Sequence, residues 1–193
     1  MPRSAGPYGR VIVSAGDMAR LARMHLAGGL APDGTRVLSA QAVATMQRRV
    51  VDVPDKWTVS ADGWGLAWTL YDWDGVPGYG HDGAAIGQYA YLRVVPHAGL
   101  ALVLMTNGGS ARLLYAGLFR ELLAELAGVT MPAAFGPPAQ PPAVDLAPLL
   151  GTYRRQGVVI TVSRGADGGT RMLYEFVDGM KDMSPPLDMD LPR

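Results

Sequence analysis

Two apolar runs, residues 86–95 (IGQYAYLRVV) and 100–106 (LALVLMT), joined by Pro96-His97-Ala98-Gly99, constrain the fold of this 193-residue chain more than any other feature. Both are apolar and strand-like, and the four turn residues between them include a proline and a glycine. That combination predicts an antiparallel hairpin. The runs are apolar nearly throughout instead of alternating, so the sheet they build should be covered on both faces. Asn107-Gly108-Gly109 closes the second run. A helix over 110–127 is then predicted, with Tyr115, Leu118, Phe119, Leu122 and Leu126 forming the stripe that lies against the sheet.

Upstream, Ser14-Ala15-Gly16-Asp17 has the spacing of a capping box. Met18, Leu21, Ala22 and His25 recur at helical spacing until Gly28-Gly29, which predicts a helix over 15–27. Ser39 caps a shorter helix carrying Val43 and Met46. Residues 65–71 (GLAWTLY) read as a strand and 72–80 as a Gly/Pro/Asp turn. Antiparallel strands with flanking helices give an α+β layered architecture. Residues 1–130 are expected to form this domain, and 131–144 (MPAAFGPPAQPPAV) an extended proline-rich linker. Residues 145–193 are expected to form a small β domain with strands at 149–153, 158–163 and 172–177. Three strands cannot close a barrel, so this domain reads as incomplete, and the proline-broken tail after Gly179 as irregular.

Seventeen Lys and Arg balance seventeen Asp and Glu, which leaves no basic face for nucleic acid. With no cysteine there is no disulfide, thiolate metal site or cysteine nucleophile. The three histidines lack H-x-x-x-H or H-E-x-x-H spacing, and neither a metal nor an organic cofactor is expected. No apolar run is long enough to span a bilayer. The opening MPRSAGPYGR is not followed by the apolar region of a signal peptide, and nothing in these residues fixes localisation.

The chemistry-bearing stretch is Gly80-His81-Asp82-Gly83, read as the start of a strand. Taken alone, a strand histidine is more often a hydrogen-bonded structural residue than a catalyst. The order around it is a D-M-A-R-L-A-R-M-H-L-A-G-G helix, G-W-G-L-A-W, G-H-D-G, a hairpin and a terminal helix. Over residues 2–128 this resembles the C-terminal part of the β-lactamase-related serine hydrolases, which include class C β-lactamases, penicillin-binding-protein-like carboxypeptidases, D-aminopeptidases and esterases. L-L-G-T-Y-R-R at 149–155 resembles the opening of the small β-barrel domain that some members carry.

The resemblance implies the C-terminal part of the serine β-lactamase/transpeptidase-like fold. It also implies that His81-Asp82-Gly83 is the third motif, in its H-x-G form. His81 would bind a substrate carboxylate or shuttle protons. Gly83 would let substrate backbone approach the strand, and the Ala84 N–H would be an oxyanion-hole donor. Asp82, Tyr89 and Tyr91 are candidates for contact with substrate. Trp64, Trp68 and Trp73 either face substrate or pack the sheet. His25 reads as structural and His97 as exposed.

The family attacks with serine in S-x-x-K and relays protons through Y-x-N or S-x-N. None of the serines here is followed three on by lysine, and neither Y-x-N nor S-x-N occurs. Both motifs are expected upstream, with Met1 an internal methionine, so this chain alone should be inactive. The expected partner is the small-molecule or peptide substrate of the parent enzyme, an amide or ester opened through an acyl-enzyme. The alternatives are a non-catalytic module binding peptide or peptidoglycan-type ligands, and a non-functional gene remnant.

Overall fold

The computed structural model describes residues 11–53, 61–85, 87–133, 139–140, 145–166, 168–182 and 184–191. The chain divides into two compact units, Met1–Gly136 and Pro137–Arg193.

In the first unit a six-stranded antiparallel sheet runs in chain order: β1 (Val51–Asp52), β2 (Gly63–Trp64), β3 (Thr69–Trp73), β4 (Val76–Ala85), β5 (Gln88–Val95) and β6 (Leu100–Thr106). Its helices among the described residues are α1 (Ala15–Leu26), α2 (Ala40–Met46) and α3 (Ala111–Ala127). The predicted capping box starts α1: Ser14 Oγ accepts the Asp17 N–H, and the Asp17 carboxylate accepts the Ser14 N–H at 3.1 Å. Ser39 caps α2 by accepting the Ala42 N–H at 3.0 Å.

Each face of the sheet has its own core. Odd-numbered β4 residues and even-numbered β5 residues meet α1, where Ala22 packs with Trp68, Tyr79, Leu92 and Val94. On the other face Phe119 and Leu123 of α3 pack with Tyr71, Trp73, Tyr91 and Val95, which corrects the predicted stripe: Leu118 and Leu126 are exposed and Leu123 takes the core position. The expectation of a sheet covered on both faces therefore holds.

Three expectations about the first unit's strands are corrected. Residues 65–68 do not belong to a strand over 65–71 but reverse the chain between β2 and β3. Ala67 takes φ 65°, and the Gly65 N–H donates to Trp68 O at 2.8 Å. Residues 72–80 are almost entirely strand, and the turn shrinks to Asp74-Gly75 with φ 54° and 84°. Positive φ at both central residues is the twist-matched hairpin turn that Asp-Gly favours. Gly78 and Gly80 are strand residues that yield space: a Cβ at Gly78 would lie 2.7 Å from the Trp73 ring, and one at Gly80 1.9 Å from Leu92 O. His81-Asp82-Gly83 therefore lies inside β4 and not at the start of a strand.

The second unit is a four-stranded antiparallel meander of β7 (Gly151–Arg155), β8 (Val158–Arg164), β9 (Thr170–Phe176) and β10 (Leu187–Leu191), with order β10-β9-β8-β7. The tail read as irregular supplies its fourth strand, where Asp188 forms a bidentate ion pair with Arg171 of β9. Residues 134–138 and 141–144 of the expected linker lie outside the described residues.

Candidate active site

β4 is ten residues long, but β3 pairs only with its first half, from Thr69↔Gly80 to Trp73↔Val76. Residues 81–85 overhang, and among the described residues only β5 pairs with them. The two-residue Asp74-Gly75 turn makes Trp73↔Val76 a hydrogen-bonded pair, so even-numbered β4 residues direct their N–H and C=O groups to the β3 side. Alternation along the ladder then turns the Ala84 N–H and the Asp82 carbonyl away from β5, toward the uncovered edge. The Asp82 carbonyl is indeed met there by His81 Nδ1 at 2.6 Å.

His81 is exposed, with its ring edge-on to Trp64 at 5.6 Å. A carbonyl can only accept, so Nδ1 carries the proton of the neutral ring and Nε2 keeps a free lone pair. Gly83 follows on the same face as His81. A Cβ there would meet only Ala90 Cβ, at 3.9 Å, so the fold itself does not demand glycine at this position.

Asp82 points to the α3 face. Its carboxylate takes a fork of hydrogen bonds from Arg93 of β5, Nη1–Oδ1 at 2.5 Å and Nη2–Oδ2 at 3.1 Å. Arg93 is 1% exposed, whereas the Asp82 side chain is 46% exposed. The guanidinium lies between two rings, 4.6 Å from the Tyr71 centroid and 4.9 Å from the Tyr115 centroid, and Nη1 also donates to Leu92 O at 2.8 Å. Burial works against the Arg93 charge, but the hydrogen bonds to the Asp82 carboxylate favour it, and its pKa lies above the ordinary value. Burial pushes the Tyr71 and Tyr115 phenols up, so both stay protonated.

On the α3 side of the overhang lies a pocket of about 610 Å³. Asp82, Gly83, Ala84, Tyr89 and Tyr91 line it from the sheet, and Ser110 and Arg112 from the start of α3. Tyr91 is buried and stacked on Tyr115 at 4.3 Å, while Tyr89 is 40% exposed. Five of the six residues singled out in the sequence thus meet at one pocket, and His81 stands across the strand from it. The tryptophans do not form one cluster: Trp68 is buried on the α1 face, Trp73 on the α3 face, and Trp64 beside His81. Among the described residues no group of three His, Cys, Asp or Glu side chains is placed to hold a metal, and no helix is long and apolar enough to cross a membrane.

Sequence reasoning missed Arg93. The signal was present: it is the one charged residue in the apolar strand Q-Y-A-Y-L-R-V-V, and a buried charge needs a partner. It shares a strand face with Tyr89 and Tyr91.

The beta-lactamase family model matches residues 1–136. The chain belongs to the beta-lactamase family. Penicillin-binding protein 4 of Amycolatopsis lactamdurans is 61% identical over 157 residues, which cover 81% of this chain and 41% of that protein. Among solved structures, SurE with D-Leu superposes with a TM-score of 0.57 at 26% identity, covering 93% of this chain and 45% of SurE. A second crystal structure of SurE gives a TM-score of 0.53 at 28% identity, covering 93% and 43%. This beta-lactamase-family chain thus spans less than half the length of these relatives.

Proposed function

We propose that this chain forms one wall of the active site of a serine hydrolase that opens an amide or ester through an acyl-enzyme. The observation that carries this reading is the edge of β4 left unpaired among the described residues, where His81, Gly83 and the outward-turned Ala84 N–H occur together. The Ala84 N–H is the donor for the carbonyl oxygen as it gains charge during attack. His81, with Nδ1 committed to the Asp82 carbonyl, offers Nε2 to a proton in transit or, once protonated, to a substrate carboxylate. In this proposal the serine and lysine of S-x-x-K and the relay tyrosine come from polypeptide outside these 193 residues. The serine Oγ bonds to the carbonyl carbon and the amine or alcohol leaves with a proton. Water then releases the acid and restores the serine. The D-Leu bound to SurE favours a substrate containing a D-amino acid residue, and the name of the A. lactamdurans relative points to a penicillin as a ligand. The tyrosine-lined pocket beside the edge is roomy enough for such a side chain.

The test is acylation of the longer polypeptide that contains this chain, by a labelled penicillin and by a D-leucyl ester. One label on a serine is expected, with His81→Gln slowing acylation by about 100-fold or more. If neither compound acylates a serine and the chain still binds a D-leucine peptide, the non-catalytic binding module is the correct reading.

A further inference from the structure

We infer that Arg93 is a positioning residue that, acting through Asp82, sets the geometry of the His81–Ala84 edge. The inference rests on the proposed hydrolase site for its catalytic meaning, but the geometry it describes can be measured without catalysis.

The overhang poses a mechanical problem. Beyond Gly80, β4 loses the ladder to β3 and, among the described residues, keeps only the one to β5, and it carries a glycine at 83. A strand held on one edge, with glycine in it, is free to twist. The Ala84 N–H and the His81 ring are useful only if they stay aimed. Asp82 lies between them in sequence, and its carboxylate ties the overhang to the buried Arg93. Arg93 sits opposite Gly80, at the last residue of β4 still paired to β3, and reaches diagonally forward to Asp82. Its guanidinium is fixed from three directions: the Tyr71 ring from β3, the Tyr115 ring from α3 and the Leu92 carbonyl from β5.

The hydrogen bond from His81 Nδ1 to the Asp82 carbonyl completes the linkage. The same residue thus receives Arg93 on its carboxylate and His81 on its backbone. A rotation of the Asp82 peptide would move the histidine and the Ala84 N–H together. Only the Asp82 end of the pair reaches solvent, 46% against 1% for Arg93, so the fork joins the overhang to a buried anchor. A planar fork against a carboxylate fixes orientation as well as distance, which a lysine ammonium does not.

The test combines two readouts on wild type, Arg93→Lys, Arg93→Met, Asp82→Asn and His81→Gln. In the 193-residue chain, ¹⁵N NMR follows the His81 ring and the Ala84 amide. In the longer polypeptide, kcat and KM are measured with a D-leucyl ester. Arg93→Met and Asp82→Asn are expected to shift both the His81 and Ala84 resonances and to weaken the Nδ1 proton signal. They should lower kcat about 10- to 100-fold with KM within threefold, a misplacement effect. The double variant should be no worse than either single one, and Arg93→Lys should restore less than half of the loss.

Unmoved His81 and Ala84 resonances in Asp82→Asn, which keeps the size of the side chain, overturn the inference even if Arg93→Met fails to fold. So do additive losses in the double variant. If His81→Gln leaves kcat unchanged, the hydrolase reading falls, while the NMR shifts still decide whether Arg93 governs the edge.

Discussion

His25 makes the stability of this chain depend on pH in a window set by burial alone. The residue sits on α1 and is 4% exposed, with the Trp68 ring 5.1 Å and the Tyr79 ring 6.5 Å from its own. Its Nδ1 has no hydrogen-bond partner, and burial is the sole cause that lowers its pKa below 6.5. The unfolded chain therefore binds a proton below pH 6.5 that the folded chain refuses. The stability is fully present above pH 6.5 and is lost as pH falls toward the lowered folded value. One proton gives a slope approaching about 1.4 kcal/mol per pH unit. With a urea m-value of about 2 kcal/mol/M, the midpoint should fall as pH drops below 6.5, by at most about 0.7 M per pH unit.

Asp17, Asp33 and Asp188 have lowered pKa values, so their contributions disappear only as pH falls below the ordinary carboxylate range, outside this window. Urea titrations at pH 7.5, 6.5 and 5.5 on the wild type and His25→Phe measure the effect. The phenylalanine variant should lose the slope. A wild-type midpoint constant over this range, or an equal slope in both proteins, would refute the reasoning.

Three further outcomes test the packing. Phe119→Ala removes a 1% exposed ring from the α3 core and should cost about 3–5 kcal/mol, whereas Leu113→Ala, 75% exposed, should stay within about 0.5 kcal/mol in the same urea titration. Gly75→Ala has open space around its new methyl but must hold φ 84°, so it should cost about 1–2 kcal/mol in thermal or urea unfolding. Gly80→Ala, with no positive φ to maintain, would set its Cβ 1.9 Å from Leu92 O; it should cost about 1–3 kcal/mol or more and displace the β5 amide resonances near residue 92.

The helices were legible because their signals are local: Ser14 and Asp17 cap each other three residues apart, and Gly28 and Gly29 stop the run. The central hairpin was legible because its two runs are adjacent and apolar. The strands around Gly65 and Gly78 were not, because glycine there answers distant demands. Gly65 makes room for the Met46 carbonyl, and Gly78 for the Trp73 ring, neither of which composition reveals. The candidate site divides the same way. The H-x-G spacing marks His81, but Arg93 acquires its meaning only when β5 folds beside β4 and brings the guanidinium to Asp82.

The overhang of β4 also determines how a partner can be read. An extended backbone paired along residues 81–85 would present its side chains alternately to two unlike environments. One side would meet the pocket of Tyr89 and Tyr91, and the next the exposed imidazole of His81 beside Trp64. Every second position of such a chain is then sorted by aromatic surface and the positions between by a basic nitrogen. A shift of one residue exchanges the two sets, so register itself becomes a discriminating variable at this edge.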